Sequence, residues 1–378
     1  MTSDLKYMQI ALRLAARSLG NVEPNPAVGA VIVKKGKVIS TGRHKKFGGL
    51  HAEINALENC RKQGANPRGA TMYVTLEPCC HYGKTGPCTD AIIKAKLSKV
   101  VVATIDPSKH ANGKGVRLLR KAGIKVDIGL CQNDAKILNA PFLKFAKTGK
   151  TWVTLKWAQS ADGFLARTDK KRWISNIKSR TDAHKIRRRV GAVLVGINTV
   201  LKDDPLLTPM PNYGKKPVRI VLDNDLRIPL NCRLLATAKN VPVLILTQVK
   251  TLKLRSKKAK QIIGTGAELL GFPDKTKSNL KFILNHLAKL GIQHLLVEGG
   301  PIVIGSFLKE KFADEIIVYV SPKILDSAGA ARMTRGQEKL TGDMRLHCLN
   351  VQLINSDLRV SGFTKNGLRY AGISGGKL

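Results

Sequence analysis

The chain has 378 residues, enough for two domains that each bury a core of their own. Hydrophobic residues make up 43%, an ordinary globular share, and no run of about eighteen apolar residues occurs, so no transmembrane helix is expected. The balance of 65 Lys and Arg against 26 Asp and Glu gives +39, while seven cysteines, few and odd in number, argue against a disulfide framework and for a reducing cytoplasm.

Helix and strand patterns alternate along the first half. Leu5, Met8, Leu12 and Ala15 recur at helical spacing, so an amphipathic helix is expected from Asp4 to Leu19; its charges, Asp4, Lys6, Arg13 and Arg17, do not suit a signal peptide. Strands follow at Ala27–Val33 and Lys37–Thr41, joined by a turn at Lys35-Gly36. A helical pattern opens at His51-Ala52-Glu53 and runs through Ile54, Ala56 and Leu57. The strand-like run Ala70 to Leu76 leads into Pro78-Cys79, and Cys88, after Gly86-Pro87, begins a helical stretch through Ile93. Val100–Thr104 and Lys125–Ile128 read as further strands, with a helix through Val116, Leu119 and Arg120 between them. Asn133 to Phe145 reads as a closing helix and 147–150 as a linker, giving domains at 1–146 and 151–378. The order predicts a layered α/β sheet in the first domain.

His51, Glu53, Cys79 and Cys88 carry the sharpest chemical signal. His-x-Glu followed by Pro-Cys and a second cysteine is the pattern of zinc deaminases. Zn²⁺ takes nitrogen and thiolate ligands tetrahedrally, and a catalytic site keeps the fourth position open for water. His51, Cys79 and Cys88 would be the ligands, and Glu53 would carry the proton from water to the leaving amine. The plainer reading is a chance scatter of a His, a Glu and two loop cysteines; the helix and strand patterns flanking each residue argue against it. A structural zinc would instead close the site with a fourth ligand, Cys80 or His81.

Past the linker, short apolar strands recur at 152–158, 192–196, 218–223, 243–246 and 295–300, with helical patterns between several of them. This predicts a largely parallel sheet. No Gly-x-Gly-x-x-Gly follows a strand, so the standard dinucleotide fingerprint is absent. Lysines are densest over 250–260, where Leu252, Leu254 and Ala259 interrupt them as on a solvated helix face or loop. The positive charge runs along the whole chain and aromatic residues are only 5%, so a platform for stacking bases is not expected, nor is a nucleic-acid partner.

The eight residues between Cys79 and Cys88, in place of the Cys-x-x-Cys of common nucleotide deaminases, resemble the deaminase domain of the bifunctional riboflavin-biosynthesis deaminase/reductases. So do Pro24-Asn25-Pro26-Ala27-Val28-Gly29, Gly42-Arg43-His44, Gly49-Leu50-His51 and Thr75-Leu76-Glu77-Pro78-Cys79. In the second half, Lys156-x-x-x-Ser160-x-Asp162-Gly163, Trp173-Ile174-Ser175, Arg180-x-Asp182-x-His184-x-x-Arg187, the segment Gly196 to Pro205 and Val297-Glu298-Gly299-Gly300 resemble, in order, the reductase domain of the same enzymes. The resemblance covers roughly residues 5 to 325 and implies a cytidine-deaminase-like α/β/α domain followed by a dihydrofolate-reductase-like α/β domain. It implies that Asn25, His44, His81 and Lys84 contact the deaminase substrate, with Asp106 at the pocket edge. On the reductase side it places Lys156, Ser175, Arg187, Asp203 and Glu298 at the substrate, and Ser160, Trp173, Ile174, Gly196, Thr199, Gly299 and Gly300 at NADPH. Zinc, NADPH, small phosphorylated pyrimidine substrates and a homo-oligomeric state are the implied cofactors and partners. One position departs from the pattern: Met210 stands where the family has an arginine for substrate phosphate, and Lys215 and Lys216 are the cations expected to replace it.

Overall fold

The protein is described by a computed structural model over residues 3–82, 86–165, 173–210, 216–273, 279–326 and 344–373. It divides into two units, Met1–Gly149 with Tyr370–Ile373, and Lys150–Arg369. Among the described residues, no helix is long and apolar enough to cross a membrane.

The first unit runs α1 (Ser3–Ala16), β1 (Gly29–Lys34), β2 (Lys37–Arg43), α2 (Ala52–Lys62), β3 (Thr71–Val74), α3 (Cys88–Lys94), β4 (Lys99–Val102), α4 (Lys114–Lys121), β5 (Lys125–Ile128), α5 (Gln132–Leu138) and α6 (Ala140–Thr148). Its sheet has the order β2-β1-β3-β4-β5. β1 is antiparallel to β2 and β3, and β3, β4 and β5 are parallel. The β1–β2 hairpin turns on Lys35 and Gly36, both at positive φ (48° and 73°), which matches the right-handed twist of the strands. Alternate residues face opposite ways. Ala30, Ile32, Met72, Val74, Val100 and Val102 pack under α2, α3 and α4, while Val31, Val33, Tyr73 and Val101 pack under α1 and α5.

Gly42 sets how closely α2 can lie on this sheet. A Cβ there would stand 2.2 Å from the Ala52 carbonyl oxygen and 2.3 Å from the Ala56 nitrogen, both backbone of α2. The same helix begins directly after His51.

Two expectations are corrected here. The closing helix is two helices broken at Asn139, whose side chain accepts from Ala27 N (2.8 Å) and donates to Ala27 O (2.9 Å). Residues 147–148 are the last turn of α6 and not linker; the helix stops at Gly149, in the left-handed conformation at φ 65°. The unit also takes residues from the far end of the chain. Lys136 Nζ donates to Gly372 O at 2.6 Å, Lys144 Nζ lies 4.6 Å from the Tyr370 ring centre, and Ala371 and Ile373 are buried.

The second unit runs β6 (Trp152–Ser160), α7 (Ile177–Arg188), β7 (Ala192–Gly196), α8 (Ile197–Asp203), β8 (Val218–Leu222), α9 (Arg233–Ala236), β9 (Val243–Gln248), α10 (Val249–Leu254), α11 (Ser256–Gly264), β10 (Glu268–Phe272), α12 (Asn279–Lys289), β11 (His294–Val297), α13 (Pro301–Lys309), β12 (Glu315–Ser321), β13 (His347–Ile354), β14 (Asp357–Phe363) and α14 (Lys365–Ala371). Nine strands pair in the order β10-β9-β8-β7-β11-β6-β12-β14-β13. The first seven in that order are parallel and β14 is antiparallel to both its neighbours. The central strands are apolar on both faces because both are covered: Val193, Val195, Val221 and Ile245 face one core, Leu194, Ile220, Leu244 and Leu295 the other. The lysine-dense stretch 250–260 forms α10 and the first part of α11. Beyond the reach of the resemblance, β13 and β14 extend the sheet.

Replacing Gly42 by alanine should push α2 off the sheet. The expected cost is about 1–3 kcal/mol of overpacking strain. Calorimetry should show a lower unfolding temperature for the first unit, and metal analysis should show less zinc bound, since His51 and Glu53 travel with α2.

Candidate active sites

The first site is built where α2 and α3 begin. His51 is the extended residue before α2 (φ −68°, ψ 164°), Glu53 lies in its first turn, and Cys88 is the first residue of α3. His51 Nδ1 stands 3.4 Å from Cys79 Sγ and 3.3 Å from Cys88 Sγ. One ligand atom from each of the three lies within 4.8 Å of the others. Cys88 N donates to Cys79 Sγ at 3.4 Å, and Thr89 N donates to Cys79 O at 3.1 Å, so the start of α3 fixes the Cys79 loop.

The electrostatics of this cluster fit a bound dication. A hydrogen bond from Cys88, with further help from His51, pulls the Cys79 thiol down to about 4 against the effect of burial. The same contact with Cys79, then burial, drives Cys88 up. Two sulfurs this close resist ionising together, and a cation between them removes that penalty. Burial first, then Cys79, pushes Glu53 up to about 7. Its Oε2 is buried with no hydrogen-bond partner among the described residues. The donor set, one nitrogen and two sulfurs, is that of a catalytic zinc site with a free fourth position. Cys80, a possible closing ligand, turns away, its Sγ 3.6 Å from His110 O.

His44 and Asn25 stand beside this cluster. The His44 ring meets the His51 ring edge-on at 5.4 Å. Its Nδ1 donates to Leu50 O at 2.9 Å, which leaves Nε2 to accept from Asn25 Nδ2 at 3.2 Å. Burial, the largest influence, lowers the His44 pKa and keeps the ring neutral. His81 is exposed, its ring 5.5 Å from that of His110. Asp106 accepts from Ser108 N at 2.8 Å. Lys84 lies outside the described residues.

Glu77, quoted in the sequence only as part of a motif, organises the far wall. Its buried carboxylate accepts from Asp106 N (3.3 Å), Gly113 N (2.9 Å) and Val116 N (3.3 Å). It thereby ties the segment that delivers Cys79 to the 106–113 loop and the start of α4. The signal available in the sequence was an acid immediately before Pro78-Cys79.

The second site is a cavity of about 1680 Å³ at the carboxyl ends of β6, β7, β8 and β11, where open α/β sheets bind ligands. Lys156, Trp173, Ile174, Ser175, Arg187, Gly196, Thr199, Asp203, Glu298, Gly299 and Gly300 all line it, as does Met210. Ser160 does not. It is fully buried, and its Oγ accepts from Phe164 N at 2.9 Å, so it shapes the turn after β6. Lys216 is partly buried, while 211–215, with Lys215, lie outside the described residues.

Glu298 is the electrostatic centre of the cavity. Arg187 grips its Oε2 through Nε (2.8 Å) and Nη2 (2.7 Å), and Lys156 Nζ meets Oε1 at 3.2 Å. Burial alone would raise the carboxyl pKa, but Arg187 and Lys156 outweigh it and hold it at about 2. Lys156 Nζ also lies 5.9 Å from the ring centre of Tyr319, whose hydroxyl donates to Asp182 at 2.8 Å. Asp357 on β14 accepts from Ser179 Oγ (2.7 Å) and Asn176 N (2.8 Å), anchoring the start of α7 that carries Arg187. Tyr319 and Asp357 had no local sequence signal. The cavity also suits a dinucleotide: an added Cβ at Gly300, the residue before α13, would meet nothing within 4 Å, leaving the backbone open to a close-lying ligand.

Comparison with known proteins agrees with both halves. Residues 1–104 match the cytidine and deoxycytidylate deaminase zinc-binding region, and residues 151–360 match the RibD C-terminal domain. The riboflavin biosynthesis protein RibD of Aquifex aeolicus is 44% identical over 361 residues, covering 94% of this chain and 97% of that protein. The structure of Acinetobacter baumannii RibD superposes with a TM-score of 0.82 at 37% identity, covering 96% of this chain and 99% of the other. A Thermotoga maritima diaminohydroxyphosphoribosylaminopyrimidine deaminase/5-amino-6-(5-phosphoribosylamino)uracil reductase gives the same TM-score at 35% identity, with the same coverage. Because the likeness runs through the metal cluster and the reductase cavity alike, the chain belongs to the RibD family of bifunctional zinc-dependent deaminases and NADPH-dependent reductases of riboflavin biosynthesis.

Proposed function

We propose that the first unit hydrolyses the amine of 2,5-diamino-6-(5-phosphoribosylamino)pyrimidin-4(3H)-one, and that the second reduces the ribosyl chain of the resulting 5-amino-6-(5-phosphoribosylamino)uracil to ribityl. The observation that carries the first step is the His51, Cys79, Cys88 cluster with the orphaned Glu53 oxygen beside it. Zinc held by those three residues supplies the Lewis acidity that makes water a nucleophile near neutral pH. Glu53 Oε2 takes the proton from the attacking water and returns it to the amine, so that water adds, ammonia leaves and no net charge is made. Asn25 donates through Nδ2 to His44, which leaves Oδ1 to accept from the pyrimidine edge. On the same reading His81 and Lys84 contact the substrate, and Asp106 lies at the pocket edge.

In the reductase cavity NADPH supplies the hydride. The ribose carbonyl carbon gains that hydride and its oxygen a proton. Lys156 polarises the oxygen, Arg187 faces the phosphate, and Ser175 and Asp203 border the substrate. Trp173, Ile174, Gly196, Thr199, Gly299 and Gly300 border the cofactor. Ionised Glu298 keeps Lys156 and Arg187 side by side. Seven free cysteines support the reducing cytoplasm as the compartment. Exposed Leu349, Val351 and Leu353 on the edge strand β13 support a homo-oligomer.

Three outcomes are expected. Glu53→Gln should retain one zinc per chain by metal analysis, lose deamination by about 100- to 10,000-fold, and leave reduction of already deaminated substrate intact; loss of the metal or survival of ammonia release would overturn the role of Glu53. Glu298→Gln should destabilise the second unit by about 3 kcal/mol at neutral pH, because two partly buried cations lose their partner. With a folded pKa near 2, below the ordinary 4.5, ionised Glu298 stabilises fully above 4.5 and loses that contribution as pH falls through 2. The difference between wild type and variant should therefore be constant above about pH 5 and shrink below it; Trp152, Trp157 and Trp173 all lie in the second unit, so tryptophan fluorescence in urea reads it directly. Finally, filter binding should show weak RNA affinity that collapses steeply between 50 and 200 mM salt, as expected of a general basic surface; tight sequence-selective binding would favour an editing deaminase instead.

A further inference from the structure

Lys156 is held more loosely than the other cation of the Glu298 cluster. Arg187 meets Glu298 through Nε and Nη2, and Thr208 O through Nη1. The Lys156 ammonium carries three N–H donors, and among the described residues one of them is taken, by Glu298 Oε1 at 3.2 Å. An ammonium on a flexible four-carbon stem, bonded at one point, pivots about that point unless something else limits it. The second contact here is an aromatic face. The centre of the Tyr319 ring lies 5.9 Å from Lys156 Nζ.

The sheet builds this contact. β6 and β12 are parallel neighbours, with Lys156 paired to Ile317 and Ala158 to Tyr319. Side chains alternate along a strand, so these four project from one face. Ala158 ends at its Cβ, which leaves room beside the ring for the Lys156 stem. Tyr319 is 1% exposed and lines the cavity. Its far end is fixed. Its hydroxyl donates to Asp182 Oδ2 at 2.8 Å, and Arg359, its register partner on β14, brings Nε within 3.5 Å of the same oxygen. Burial first, then Asp182, raises the Tyr319 pKa, so the hydroxyl keeps its proton and that proton is committed to Asp182. A phenol that donates to a carboxylate gains electron density in its ring, which strengthens the negative face that a cation seeks.

We propose that Tyr319 is a positioning residue of the reductase: its ring face, clamped at the hydroxyl by Asp182, orients the Lys156 ammonium toward the substrate carbonyl oxygen. This rests on the reductase reading above, in which Lys156 polarises that oxygen. Tyr319 gives no proton to the substrate. It acts through Lys156, by fixing where the two uncommitted N–H donors point. A cation–π contact in a water-poor wall is stronger than one at the surface, but 5.9 Å is the long end of its range, so the expected effect is moderate.

The test follows NADPH oxidation by the full-length protein on already deaminated substrate. Tyr319→Leu should lower kcat on the order of 10-fold and leave KM for substrate and for NADPH near the wild-type values. Tyr319→Phe, which restores the ring without the hydroxyl, should recover most of that loss. Adding one, two and three fluorines to the ring of the Tyr319→Phe variant barely alters its size but drains its negative face, and kcat should fall stepwise along that series. The series shares the packing of its parent, so it decides even where Tyr319→Leu does not fold. A kcat that ignores the fluorines makes Tyr319 a packing residue and overturns the assignment. A Tyr319→Phe variant as slow as Tyr319→Leu makes the hydroxyl the working group and overturns it too, as does unchanged turnover in Tyr319→Leu. If the wild type oxidises no NADPH on this substrate, the reductase reading falls and this inference with it.

Discussion

Charge taken out of water costs several kcal/mol per ion, even after the protein relaxes, unless a partner stands beside it. Both sites are organised by how that cost is met. In the first unit two sulfurs and a ring nitrogen converge within 4.8 Å, an arrangement that keeps both sulfurs as thiolates only with a cation among them. In the second, the buried carboxylate of Glu298 is covered by two cations from different strands and helices, Lys156 on β6 and Arg187 on α7. The metal centre takes its positive charge from outside the chain, while the Glu298 cluster is complete within it.

Buried charges that are met by main-chain dipoles and not by opposite ions do the positioning. Arg219, fully buried in β8, pairs with no carboxylate among the described residues and donates to the carbonyls of Leu206, Thr237 and Val241 and to Thr237 Oγ1. Burial lowers its pKa, but only to about 10, so it stays charged at neutral pH. Through Leu206 it pins the turn that follows α8, and two residues on, Thr208 O is met by His184 Nδ1 and Arg187 Nη1. Glu77 does the same for the deaminase, one carboxylate collecting three main-chain amides. In both cases a buried side chain sets the backbone of a loop, and the loop sets the cavity wall.

What was legible in the sequence was local. His51-Ala52-Glu53 reads as ligand and proton carrier because both lie within two residues and a helix follows them. The parallel sheet reads from uninterrupted apolar runs such as Ala192–Val195, since covering both faces removes the alternation. What was not legible depends on partners far along the chain. Nothing in Asn133 to Phe145 shows that the helix must break at Asn139; the cause is Ala27, 112 positions away. Asp357 looks like an ordinary strand-end acid until α7 is placed against it. Ser160 sits in a motif with cavity residues and shares the strand face of Lys156, yet the turn to Phe164 takes its hydroxyl inward.

Met210 is best understood through the same accounting of donors. It lines the cavity, 64% exposed, where the resemblance implies an arginine, and a thioether offers nothing to a phosphate. Of the five N–H donors on Arg187, Nε and one on Nη2 go to Glu298 and one on Nη1 goes to Thr208 O. Two donors remain, one on each terminal nitrogen, which is the number a bidentate phosphate contact uses. Glu298 holds Arg187 in place without exhausting it, so the guanidinium that completes the buried ion cluster can also receive substrate. An arginine at 210 would add a second cation to that task; on the proposed reading, its absence places more of the phosphate's binding on the one arginine that Glu298, Thr208 and, through α7, Asp357 already hold still.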